Sequence, residues 1–132
     1  MIRVLFGIFL VLHGLVHVLY AGQSLRYFEL QPGMVWPDGS WIFSPLFGDR
    51  GLRRLAGVAC VLSALAFITG GLGLLLAQDW WRPVVVGAAS FSSLVYLLFW
   101  DGKLSKLDGQ GGVGLMINLA ILATVLILGW PA

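Results

Sequence analysis

His13 and His17 stand four residues apart in an uncharged stretch running from Val4 to Leu25. On a helix that spacing puts both imidazoles on one face, and Tyr20 and Ser24 continue the stripe at +7 and +11. Ionisable side chains inside an apolar helix are costly, so the pair marks a functional site by default. An imidazole there can hydrogen-bond a polar head group, relay a proton, ligate a metal, or bond to a neighbouring helix and fix its packing. A closed metal site needs three or four ligands. The chain holds only two histidines, so a metal would require Cys60, a loop carboxylate or a second subunit. One helix cannot present two imidazoles to opposite faces of a haem, which leaves only haem through a single histidine.

Other polar side chains fall at the same depth. Asn118 lies two turns into the last apolar stretch, Ser93 and Tyr96 lie near the end of the third, and Cys60 and Ser63 lie two to three turns into the second. The opposite half holds mainly Thr69 and Thr124. This layering predicts an interior pocket lined by His13, His17, Tyr20 and Asn118, with Ser93 and Tyr96 at its edge. The single cysteine excludes an internal disulfide and a two-cysteine redox centre. No apolar stretch holds a carboxylate, which disfavours a proton-coupled exporter and ranks a small transporter behind the other readings. Gly109-Gln110-Gly111-Gly112-Val113-Gly114 follows no strand and is not a nucleotide fingerprint.

The elements that must carry these residues follow from composition. The 132 residues are 59% hydrophobic and 11% charged, against about a quarter charged in a soluble domain. Four uncharged stretches, Val4 to Leu25, Leu55 to Gln78, Pro83 to Trp100 and Gly109 to Ala132, each approach the roughly 20 residues that cross a bilayer as a helix. The expected fold is all-α: an integral membrane antiparallel four-helix bundle in a single domain, with helices at about 3–22, 52–77, 83–100 and 112–130. No segment alternates as a transmembrane β-strand would. The first stretch is longer than a signal-peptide core and carries two histidines, so it is read as retained.

The connections are unequal. Residues 78–82 make a tight turn. The first loop, 23–51, is long and aromatic and is expected to be partly ordered at the membrane interface. Within it, Pro37-Asp38-Gly39-Ser40 signals a turn, and a hairpin over 34–43 would place Trp36 opposite Trp41. Trp80, Trp81 and Trp130 mark one interface, and Trp100, Trp36 and Trp41 the other. Six Lys and Arg residues lie in or beside the first and third loops, against two on the opposite side. That bias predicts an inner (plasma) membrane protein with both loops cytoplasmic and both termini outside. The expected partners are the lipid bilayer and other membrane subunits or further copies of the chain, and not nucleic acid.

Arg3-Val4-Leu5-Phe6-Gly7, followed by His13-Gly14-Leu15, resembles the first helix of DoxX-like membrane proteins, as does the plan of four helices, a long first loop and a glycine pair at Gly111-Gly112. The resemblance implies a small subunit of a membrane redox system, including thiosulfate oxidation coupled to quinone. The family commonly has a lysine where His17 stands and an acidic residue where Val113 stands, so no catalytic residue is carried over. Two functions follow as expectations. One is a redox- or quinone-linked subunit whose polar layer receives a head group, with metal or haem ranked behind a quinone as cofactor. The other is a non-catalytic structural or assembly subunit of a larger complex.

Overall fold

A computed structural model describes residues 1–30, 36–37, 40–99 and 112–131. Among these the chain is helical, with α1 (Ile2–Ser24), α2 (Ser44–Leu75), α3 (Trp81–Leu98) and α4 (Gly112–Leu122), the last continued by a π-helical turn over Ala123–Ile127. The helices α1, α2 and α3 are long and apolar enough to cross a membrane. The apolar segment Gly112–Ile127 is shorter: its 16 residues cover about 24 Å at an α-helical rise. Gly129, at φ 61°, and Pro131 end it two to four residues beyond the π turn.

Glycine brings α1 and α2 together. A Cβ on Gly71 would stand 2.9 Å from the Gly7 carbonyl oxygen, and one on Gly14 would stand 3.0 Å from that of Ala64. Farther along, Gly57 faces Leu25. Positions 7 and 14 on α1 and residue 25 just after it thus meet 71, 64 and 57 on α2. Between α2 and α3, Gly70 receives Val85 and Gly73 receives the Trp80 ring. Leu10, Phe67, Leu74, Val85, Ile121 and Val125 form one apolar core at this end of the helices. Trp81 is buried in that core, and the Arg82 guanidinium stands 5.3 Å from its ring. Arg82 also donates to the carbonyls of Gly129 and Pro131 at 2.8 and 3.1 Å, just past the end of the last helix.

The second helix departs from the sequence expectation. It begins at Ser44, not near residue 52, so the first connection is shorter than 23–51. Pro45 suits the first turn of a helix because its missing N–H would be unpaired there anyway. Gly48, at φ 67° and ψ 177°, breaks the opening turn from the long segment that follows. The apolar periodicity starts only after the arginines at 53 and 54, which hid the earlier turn.

Four residues of the hairpin expected over 34–43, at 34–35 and 38–39, lie outside the described ones. Its described parts lie apart in environment: Trp36 is buried, whereas Trp41 is exposed and donates its indole N–H to the Leu97 carbonyl at 2.8 Å. The Ser40 hydroxyl donates to the Leu98 carbonyl. Two open carbonyls at the C-terminus of α3 are thereby satisfied by the segment leading into α2.

Candidate functional site

The stripe on α1 faces inward. His13 and His17 are buried, and Gly14 between them lets α2 approach closely enough for Phe67 to pack on both rings, with centroids at 4.7 and 5.2 Å. The imidazoles form an edge-on pair at 4.9 Å.

Their hydrogen bonds make a one-way chain. His17 Nδ1 lies 2.9 Å from the His13 carbonyl oxygen. A carbonyl only accepts, so Nδ1 carries the proton and Nε2 of this neutral ring accepts. The Ser92 hydroxyl, 2.6 Å from His17 Nε2, must therefore donate to it. With its proton committed, Ser92 Oγ accepts from Asn118 Nδ2 at 2.9 Å. That fixes the amide, whose Oδ1 accepts from His13 Nε2–H at 2.8 Å. Turning the amide over would set two acceptors against each other at Ser92. Three helices, α1, α3 and α4, are joined by these four side chains, and a chain of this kind polarises each member in the same sense. Asn118 and Ser92 are fully buried, so removing one member strands its neighbour at a cost of about 1–3 kcal/mol.

A layer of rings covers the chain toward the first loop. Tyr96 lies 5.9 Å from His17 and 5.6 Å from Tyr20, and Trp36 stands edge-on to Tyr20 at 5.3 Å and 6.1 Å from Tyr96. Trp36 is 1% exposed, and its Nε1–H is buried without a hydrogen-bond partner. The backbone beside it is well held. Arg26 donates to the Trp36 carbonyl at 2.8 Å and to that of Pro37 at 3.3 Å, and the buried Gln23 amide donates to the former at 3.4 Å. Arg26 occupies the left-handed region at φ 63°, directly after the last turn of α1. There the Tyr27 N–H returns to the Gly22 carbonyl at 3.0 Å. That position usually falls to glycine.

Of the residues expected to line the pocket, His13, His17 and Asn118 are brought together directly, and Tyr20 and Tyr96 sit above them. Ser93 is not part of the network. It is buried, but its hydroxyl donates to the Ala89 carbonyl of its own helix at 2.7 Å. Ser63 likewise donates to Ala59 at 3.0 Å, and Cys60 is buried beside Tyr96 and Trp36 in an apolar cluster. Ser92 is not among the expected residues, although the sequence carries a signal for it: it lies four residues before Tyr96 and so shares the face of α3 that Tyr96 occupies. The sequence places Trp36 at the interface, and nothing around it in the sequence marks it as buried. Among the described residues, no three of His, Cys, Asp and Glu come together as a metal site would need. Comparison with protein-family models, with characterised proteins and with solved structures finds no match to the chain.

Proposed function

We propose that the chain is an integral membrane subunit that holds a polar head group in the half of the bilayer nearer its first loop. The proposed architecture is an antiparallel four-helix bundle in the inner (plasma) membrane. The first and third loops face the cytoplasm, and both termini lie outside. The Lys and Arg bias supports the orientation, and the meeting of 7, 14 and 25 with 71, 64 and 57 supports the antiparallel sense.

The observation that carries the reading is the concentration of polar and aromatic groups in one layer. His13, His17, Ser92 and Asn118 form its floor, and Tyr20, Tyr96 and Trp36 stand above them. A small-molecule site is mostly apolar with a few placed polar groups, and this layer has that character. The resemblance of Arg3–Gly7 and His13–Leu15 to DoxX-like proteins adds a redox context, in which the head group is that of a quinone or a similar carbonyl compound. Asn118 interrupts any proton path through the network, because its amide does not readily pass a proton on. The floor therefore orients and does not relay.

The second reading, a non-catalytic structural or assembly subunit, is favoured by a different observation: each bond of the network already has its partner. One experiment separates the two. Protein extracted into lipid nanodiscs is analysed for a retained compound other than phospholipid, and the measurement is repeated on H17A. Head-group binding predicts a stoichiometric compound in the native protein that H17A loses while remaining folded. The structural reading predicts no such compound, and for H17A only a lowered melting temperature.

A further inference from the structure

Among the described residues, one buried side-chain polar atom is left without a partner: the indole Nε1–H of Trp36. Its ring belongs to the layer assigned above to head-group binding, beside the rings of Tyr20 and Tyr96 at 5.3 and 6.1 Å. Buried donors in folded proteins almost always find an acceptor, and an orphan calls for a cause. Crowding or accident is a poor cause here, because the surrounding chain is held with care. Arg26 and Gln23 fix the Trp36 carbonyl, and the Arg26 guanidinium also reaches Pro37. The segment that follows is anchored through Ser40 and Trp41 to the end of α3. The indole is thus presented by a tethered backbone, with its N–H unused.

We infer that Trp36 Nε1–H is the donor of a binding site for an acceptor oxygen on an uncharged amphiphile, walled by Tyr20 and Tyr96. This rests on the head-group reading and names the donor that the reading lacks, since the histidine, serine and asparagine contacts below are already made to one another. The ligand is uncharged because the walls of the site are aromatic rings. An anion brought against ring faces would lose water and gain only one hydrogen bond from the indole. It is an amphiphile because the site is within the bilayer but close to its surface: Tyr20 is four residues from the end of α1 at Ser24, and Tyr96 is two from the end of α3 at Leu98. At that depth the acceptor has two sources, the carbonyl of a free lipophilic compound and the ester carbonyl of a phospholipid.

The experiment follows the indole N–H itself. The protein is labelled with ¹⁵N-indole tryptophan in nanodiscs, and the Trp36 resonance is assigned by its loss in W36F. The neutral ketone 2-tridecanone is then titrated against tridecane, first in ether-linked lipid and then in ester-linked lipid. The inference expects a downfield, saturable shift of the Trp36 proton with the ketone and none with the alkane. It also expects W36F to bind the ketone about three- to tenfold more weakly, the span of one net hydrogen bond. A downfield shift on passing from ether to ester lipid alone assigns the acceptor to phospholipid. Saturable ketone binding that W36F leaves unchanged overturns the inference while the head-group reading stands. A Trp36 proton held upfield in every condition, its N–H turned onto the Tyr20 ring, overturns it as well. Absence of any saturable binding, with the resonance indifferent to lipid and ketone, removes both the inference and the reading beneath it. The wild-type titration decides these outcomes even where W36F does not fold, since the exposed indoles of Trp41, Trp80 and Trp130 are separable by their response to a soluble quencher and those of Trp81 and Trp100 are assigned by their loss in W81F and W100F.

Discussion

The first helix has two seams, and they are built by opposite means. Toward α2 it offers Gly7 and Gly14, and the two backbones approach until a single Cβ would collide with a carbonyl. Toward α4 and the residues that follow it, the helix reaches across with long side chains, His13 to Asn118 and Phe6 to Trp130, the latter two rings lying 5.5 Å apart. The first seam relies on close approach alone, which in lipid must replace the hydrophobic drive that water would supply. The second relies on polar and aromatic tips that hold the helices apart at a set distance. Close approach tolerates no added atom. A seam of tips can be rebuilt if both tips are changed together.

The largest effect is therefore expected at the glycine seam. A Cβ at position 71 meets the Gly7 carbonyl at 2.9 Å and the Val11 nitrogen at 3.1 Å, both backbone atoms. G71L should lower stability by about 3 kcal/mol or prevent folding, seen as a lost or much lowered melting transition in detergent. A G71L protein that melts like the native one would show that the seam is not close-packed.

Asn118 comes next. N118L strands His13 Nε2–H and takes a donor from Ser92, for a cost of about 2 kcal/mol. Changing both ends, in the double variant H13F/N118L, should recover most of that loss, because an apolar pair leaves less unpaired. A double-mutant cycle in thermal unfolding measures the coupling. Additive losses would mean the hydrogen bond does not join the helices.

Two smaller effects sharpen the comparison. S92A removes the hydroxyl shared by His17 and Asn118 and should cost about 1–2 kcal/mol, whereas S93A loses only a bond within its own helix and should stay within about 0.5 kcal/mol. Equal losses would put the wrong serine in the network. The least effect is expected of W41F, which forgoes an exposed bond to the Leu97 carbonyl. It should leave the melting temperature nearly unchanged while speeding amide exchange in the last turn of α3, and unchanged exchange there would remove Trp41 as an anchor.

Much of the frame was legible in the sequence because uncharged runs and their lengths report directly on helices in lipid. The inward face of α1 was legible because two imidazoles cannot face hydrocarbon cheaply, and four-residue spacing tells which neighbours share their face. Ser92 and Ser93 could not be told apart by depth, only by their angle around α3, and that angle has meaning only once Tyr96 is known to face α1. The early start of α2 was hidden by Asp49, Arg50, Arg53 and Arg54, which interrupt apolar periodicity just after the break at Gly48. Trp36 was least legible. Its burial depends on Arg26, ten residues before it, and on Tyr96, sixty residues after it, and composition carries no trace of such contacts.

Cys60 gives the molecule an internal clock. It is the only thiol in the chain, and it is wholly enclosed between α2 and its neighbours. A maleimide added to native protein has nothing to react with until the helices part, so the rate of its capture reports the opening of the whole assembly. The same silence lets a thiol be introduced at position 26 or 103 without first removing the native one. Labelling from either side of a sealed vesicle then reads the placement of the two loops directly, and modification of the two positions from opposite sides would overturn the proposed topology.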